Sequence, residues 1–390
     1  MKTVYTSFAL FILLWATSCN NSEEITPTSE FVKYFVEGVA VDMVQTGDNG
    51  FAMVLTGKTD NSFLIKTSTI GIQEWRNEIA DFHVKDVLNS SSDNEFVVLG
   101  DFDNFGADDI SIRIIDLGGE IAAFHPDLSS IAQSRGVSDM IALQMTIDLD
   151  GSLIVVGESN DQNGLLKPFI FKVEGNVIKW IYELGKNDPG AHVHFAPSLL
   201  IDNSEVIVAY TINDALGEDA FVRVVSINQV TGAETNLSTI TDFGDLIVNE
   251  MISTPSGFAF LGSRAFFSGS SQLSITLLDG NAQVIDKPVN IISSSIGSAI
   301  ANTSDGGFII AGSIREFNDN DFLLLKTDQA GIPTWEDPRV MGGESGDDIS
   351  VKVLEVEDGG GYVLFGTSWI KNAKARPTLI KTNKYGLLYK

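Results

Sequence analysis

The stretch 305–335, DGGFIIAGSIREFNDNDFLLLKTDQAGIPTW, decides how the chain is read. Asp305-Gly306-Gly307 is a turn, and the apolar run that follows it closes on Gly312. A polar connection leads to a second run, Phe322 to Lys326, and another turn ending at Gly331 precedes Trp335. Apolar runs of strand length bounded by Gly and Asp turns are hairpins in series. Weaker copies recur along the chain: DNGFAMVLTGKT near Gly57, DNEFVVLGDF near Gly100, DGSLIVVGES near Gly157, NSEVIVAYTI near Tyr210, PSGFAFLGSR near Gly262 and GGGYVLFGTS near Gly366. With the 305–335 copy there are seven, 43 to 57 residues apart, and a period of this size marks a repeat architecture.

Each copy has the same companions. A mixed apolar run precedes it, as Ala40 to Thr46 does in the first copy and Ile349 to Val356 in the last. A second strand follows, such as Phe63 to Thr67 or Thr378 to Thr382, and a fourth is anchored at Trp75, Phe124, Trp180 or Trp335 in the clearest copies. Four short strands per unit of about 50 residues are the arithmetic of a β-propeller blade. The expected fold is all-β, a seven-bladed β-propeller of four-stranded antiparallel blades over residues 31–390. A repeat also explains the length of 390 residues, because a single core stops growing near about 250–300.

The recurring glycine is expected where blades crowd around the axis and a residue without a β-carbon lets neighbouring backbones approach. Copy four carries Ala209-Tyr210 there, so either Ala209 takes the small position or that blade packs more loosely. The last copy ends at Lys390, four residues after Gly386, where Trp335 stands four after Gly331. Its outer strand is therefore missing. Phe31 to Val36 is expected to supply it and close the ring, since Phe31 precedes Gly38 by the spacing that separates Trp335 from Gly342.

Residues 1–18, MKTVYTSFALFILLWATS, combine Lys2, an apolar run from Phe8 to Trp15 and small residues before Cys19, the layout of a secretory signal rather than a membrane span. Ala16-Thr17-Ser18-Cys19 resembles a bacterial lipobox, with Ala16 at the place where leucine is most common; the resemblance implies lipidation at Cys19, the one cysteine in the chain. Residues 19–30 read as a polar tether. The run Asn20-Asn21-Ser22-Glu23-Glu24 is similar to the surface-export signal of Bacteroidota lipoproteins, which implies an outer-membrane protein facing the cell exterior. The clearest repeats, DGGFIIAGS, DFLLLKTDQAGIPTW and MGGESGDD, resemble propeller-type repeats of secreted and lipid-anchored bacterial proteins. No copy has the Trp-Asp ending of WD40 blades or the acidic calcium loop of integrin-type blades, and propellers host unrelated functions.

With 25 basic and 52 acidic side chains the formal charge is -27, which excludes a nucleic-acid partner, because such partners are held by Lys and Arg on phosphates. It suits a soluble, exposed, monomeric protein. The chain has no GxSxG, HExxH or P-loop, and no catalytic, cofactor-binding or metal-ligating set emerges. His192 and His194 lie two apart on a strand but lack an identifiable third ligand. Aligning the copies on their glycines brings Asp81, Asp139, His192, Asp242 and Asp348 to similar places just before the first strands. There they form a candidate ring at one channel mouth, fit for a cation or a polyhydroxylated ligand. Turn chemistry accounts for the same aspartates. The functional expectation is a non-enzymatic lipoprotein that binds an extracellular protein or glycan; the alternative is an enzyme acting on extracellular glycans.

Overall fold

Seven sheets of four antiparallel strands make up the protein in a computed structural model that describes residues 30–388, except 59–60, 91–94, 104–107, 126–139, 161–165, 176, 186–191, 214–219, 242–245, 266–270, 287–288, 317–318, 343–345, 357–359 and 371–373. Strand β1 (Phe31–Tyr34) stands apart in sequence from the blade it joins. Blade 1 is β2 (Gly38–Gln45), β3 (Phe51–Gly57), β4 (Ser62–Thr67) and β5 (Gln73–Ile79), and blade 2 is β6 (His83–Asn89), β7 (Glu95–Asp103), β8 (Asp108–Asp116) and β9 (Ile121–His125). Blade 3 is β10 (Met140–Ile147), β11 (Leu153–Asn160), β12 (Leu166–Glu174) and β13 (Val177–Glu183); blade 4 is β14 (His192–Asp202), β15 (Glu205–Asn213), β16 (Ala220–Asn228) and β17 (Glu234–Ile240). Blade 5 is β18 (Leu246–Thr254), β19 (Gly257–Ala265), β20 (Ser271–Asp279) and β21 (Val289–Ser293), and blade 6 is β22 (Ser295–Asn302), β23 (Phe308–Glu316), β24 (Asp319–Thr327) and β25 (Arg339–Met341). Blade 7 is β26 (Asp348–Glu355), β27 (Gly361–Ile370) and β28 (Lys374–Asn383), completed by β1.

The first strands of successive blades touch one another around the whole circle, β26 against β2 included, so they are the innermost strands and surround the axis. The apolar residues do not pool into one core. Among the described residues they form seven clusters, one between each pair of neighbouring blades, such as Leu99, Met140 and Phe169 between blades 2 and 3. Each sheet therefore buries both faces, which explains why middle strands such as β23 are continuous apolar runs rather than alternating ones.

Ring closure follows the expected route. Strand β1 pairs antiparallel with β28, Phe31 opposite Lys381 and Tyr34 opposite Thr378. Phe35 is buried in the cluster between blades 7 and 1. At other junctions an aromatic from one blade lies beneath a turn glycine of the next, as Trp75 lies beneath Gly119 and Trp180 beneath Gly232. At the closing junction Phe31 lies beneath Gly71 in the same manner. Trp335 meets Gly386 but precedes the outer strand β25 instead of lying in it. The side chain of Phe124 lies outside the described residues.

The glycine that ends the second strand has a cause beyond the one expected. In blades 2, 3, 5, 6 and 7 it faces the first strand just before a bulge, as Gly100 faces Val84 and Gly262 faces Val248. A β-carbon at Gly100 would stand 2.6 Å from the His83 carbonyl, and one at Gly262 would stand 2.9 Å from the Ile247 carbonyl. The crowding is with the bulge inside the blade and, at Gly157 and Gly366, also with the neighbouring blade, where Ile110 and Phe322 would lie 2.7 and 2.5 Å from the β-carbon. In blade 1 the equivalent place belongs to Leu55, and Gly57 lies two residues beyond it. In blade 4 it belongs to Tyr210, buried against blade 3, while Ala209 pairs with Ser198. There the register jumps from His194 to Ser198, a longer bulge that makes room for the tyrosine.

Candidate functional site: the charged axial channel

In the first strand of every blade one residue follows the bulge directly: Asp42, Asp86, Gln144, Ser198, Glu250, Ala299 and Lys352. Five of these latch their blade to the next by accepting a backbone amide. Asp42 Oδ2 accepts from Val87 at 3.3 Å, Asp86 Oδ2 from Met145 at 2.7 Å and Gln144 Oε1 from Leu199 at 3.0 Å. Ser198 Oγ accepts from Met251 at 2.7 Å, and Glu250 Oε2 from Ile300 at 2.6 Å. The bulge leaves the following amide without a partner in its own sheet, and the neighbour's side chain satisfies it. The same bond at these five junctions also sets their inner strands parallel and in register around the axis.

The last two positions break the series. Ala299 has no acceptor, and the junction between blades 6 and 7 is held by Ser350 Oγ donating to the Gly312 carbonyl at 2.9 Å and by Ser313 Oγ donating to the Asp348 carbonyl at 3.0 Å. Lys352 is a donor only. Its Nζ lies 3.5 Å from Asp42 Oδ1 in blade 1 and 3.3 Å from Glu250 Oε1 in blade 5, so the second contact skips blade 6 and spans the channel. About a quarter of the Lys352 side chain (26%) is accessible, against 11% for Asp42 and 16% for Glu250.

One cation thus sits among three carboxylates. The Asp42 charge, supported by Glu250 and Asp86, raises the Lys352 pKa above the ordinary lysine value despite the opposing effect of burial. Lys352 is a fixed positive charge at neutral pH and not a free amine nucleophile. Burial pushes the Asp86 carboxyl well up, and the neighbouring Asp42 charge and hydrogen bond push it further, against the Met145 amide and Lys352. Its folded pKa therefore lies above the unfolded value, and its contribution to stability is complete below about pH 4 and falls as pH rises through the folded pKa. Asp86→Asn keeps an acceptor for Met145 and removes the charge. The variant is expected to gain about 1 kcal/mol at pH 7 for each pKa unit relieved, and its denaturation midpoint is expected to vary less above pH 4. A loss of stability at pH 7 would instead make ionised Asp86 a needed counter-ion of Lys352.

At the channel end where the first strands begin, Val39, Ile296 and Ile349 stand three residues before Asp42, Ala299 and Lys352 in blades 1, 6 and 7, and all three are exposed. Of the sequence-predicted mouth residues, Asp348 opens β26 and is buried, opposite Ser368. Asp81 is exposed in the turn between β5 and β6, with a left-handed backbone (φ 51°). These two do not occupy equivalent positions, because Phe82 and not Asp81 corresponds to Asp348. His192 opens β14 opposite Asn213, its side chain outside the described residues. Asp139 and Asp242 lie outside them altogether. Among the described residues no three of His, Cys, Asp and Glu are grouped to hold a metal ion.

Sequence reasoning passed over the axial residues, although they left a signal: a charged residue at the centre of a largely apolar first-strand run, as in VAVDMVQ, HVKDVLN and ISVKVLE. Three further buried lysines are structural. Lys66 reaches Asp48 at 2.8 Å, Lys172 reaches Asp150 at 2.9 Å and Lys326 reaches Asp305 at 2.9 Å, each clamping the turn between its blade's first two strands.

A second concavity lies between blades 6 and 7, where the outer strands β25 and β1 have only three and four residues. It encloses about 790 Å³, and its lining includes Tyr34, Trp369, Met341 and Asp348. Tyr34 is 54% and Trp369 36% exposed.

No family model and no curated protein matches the chain. Solved structures do resemble it. The Dos1 propeller aligns with 90% of this chain and 94% of its own at 11% identity and a TM-score of 0.49. A putative 6-phosphogluconolactonase from Bacteroides fragilis aligns with 77% of this chain and 83% of its own at 12% identity and a TM-score of 0.47. The α-L-arabinofuranosidase Arb93A from Fusarium graminearum aligns with 77% of this chain and 92% of its own at 10% identity and a TM-score of 0.47.

Proposed function

We propose that this chain is an exported β-propeller, held at the outer membrane by lipid on Cys19 and facing the cell exterior, that acts as a monomeric binding module for an extracellular protein or glycan. The observation that carries the non-enzymatic reading is the engagement of the channel's charged groups. Asp42 and Glu250 each hold a neighbouring blade's amide and flank Lys352, while Asp86 holds Met145. Groups bound in this way maintain the ring and are poorly placed for general acid and base work, which needs carboxylates free to exchange protons with a substrate. The cleft between blades 6 and 7 is of ligand size, and exposed aromatics beside a carboxylate suit sugar rings or peptide side chains.

The test is a glycan and protein binding screen with residues 20–390, followed by an assay for bond cleavage of every hit. Binding without turnover is expected, weakened at least tenfold by Trp369→Ala. Turnover of a bound glycan would replace this reading with the glycan-acting enzyme.

A further inference from the structure

Large apolar side chains recur in or directly after the turns that join third to fourth strands, Val177 being the first residue of β13, or at the equivalent turn after β28 in blade 7. Each blade exposes at least one: Ile72, Leu117, Val177, Val230, Ile285, Ile332 and Leu387, between 46% and 77% exposed. Such turn tips are normally polar, since nothing is buried there. Local structure explains how these residues are turned outward but not why they are apolar. Asp328 Oδ1 accepts the amides of Ala330 and Ile332, and Asn383 Oδ1 those of Tyr385 and Leu387, each at 2.9–3.1 Å. The capping side chain folds into the turn, its glycine packs on the neighbouring blade, and the remaining side chains face solvent. Parallel inner strands put all seven turns at one end of the propeller.

The N-terminal segment reaches the fold at that same end. Phe31 pairs with Lys381, two residues from the Asn383 turn, so the chain before β1 leaves from the face that carries the apolar tips. Cys19 precedes Glu30 by 11 residues, a span of at most about 40 Å.

We propose that this face rests on a lipid surface, with the apolar turn tips in contact with the bilayer interface and the opposite end of the channel turned outward. The proposal rests on the anchoring at Cys19 proposed above. Isolated apolar tips bind a membrane weakly. A short tether makes their contact intramolecular, at an effective concentration on the order of millimolar, so docking depends on the anchor. Charge selects the lipid. Lys66, Lys172 and Lys326 offset some of the turn aspartates, but Asp116, Asp279 and Asp328 remain among the tips, so the surface that fits is zwitterionic and not anionic.

The experiment couples the Cys19 thiol of residues 19–390 to a maleimide lipid in phosphatidylcholine vesicles and compares amide hydrogen exchange with that of the uncoupled chain. Turns 116–121, 228–233 and 328–334 are expected to exchange at least threefold more slowly when coupled. A variant with Ile72→Ser, Val230→Ser, Ile332→Ser and Leu387→Ser is expected to melt as the parent does and to lose that protection. Absence of protection, equal protection in the variant, or protection only on phosphatidylserine vesicles would overturn the proposal. So would protection in the uncoupled chain that grows with protein concentration, which would make the face an interface between copies. Because the anchor is supplied chemically, failure of the anchoring reading appears separately, as absence of fatty-acid label on Cys19 in cells producing the full chain.

Discussion

A Lys352→Met chain is expected to lose about 3 to 5 kcal/mol of stability at pH 7, the scale for removing one partner of a buried ion pair and leaving the other charged. Lys352 lies among Asp42, Glu250 and Asp86, and without it three carboxylates face one another around the channel with no cation among them. Partial accessibility of the lysine puts the effect toward the lower end of that range, because water entering the channel screens part of the repulsion. The deficit should shrink as pH falls from 7 to 5. Carboxylates deprived of a counter-charge have folded pKa values raised above their unfolded ones, and such groups cost least once protonated. Urea denaturation at several pH values reads both effects. A Lys352→Met, Asp42→Asn chain should recover part of the loss, since the two residues share one interaction. A midpoint at pH 7 equal to that of the parent would show that the axial pair does not hold the ring.

Deleting residues 30–37 is expected to have the other large effect. The segment carries β1, which covers the edge of β28, and it places Phe31 beneath Gly71 and buries Phe35 between blades 7 and 1. Loss of one large buried aromatic alone costs about 3 to 5 kcal/mol, and the deletion also exposes an unpaired strand edge open to association with other chains. The truncated protein should melt sharply lower and aggregate on heating. An unchanged melting temperature would mean that the ring closes without this strand.

The repeat was legible because blade architecture is written in local chemistry. Asp and Gly turns such as Asp305-Gly306-Gly307, apolar runs of strand length such as Phe308 to Ala311 and aromatics at fixed offsets such as Trp180 are visible within each copy. The closing strand was legible by subtraction, since the last copy lacks an outer strand and the first residues of the ring match one. The glycine at the end of the second strand was legible as a point of close packing between blades, as at Gly157 and Gly366, but the bulge that it also faces was not, because a bulge depends on register between two strands and a single strand does not display it. In copy one the glycine itself lies two residues past the bulge position, at Gly57 instead of Leu55. The candidate mouth residues come from other copies, and Asp81 and Asp348 occupy unequal positions because they stand 19 and 18 residues before the equivalent glycines Gly100 and Gly366.

The sequence by itself determined the number of blades, the strands within each and the strand that closes the ring, because turn propensity and hydrophobic period act between residues close along the chain. Only the tertiary structure decided that Asp42, Asp86, Glu250 and Lys352 form one charged group. They are separated by up to 310 positions in the chain and meet because seven inner strands surround one axis. The same closure put the apolar turn tips of every blade on the face from which the N-terminal segment departs. Local patterns specify strands, whereas charge pairing and shared faces depend on which strands become neighbours, and the closed ring sets that.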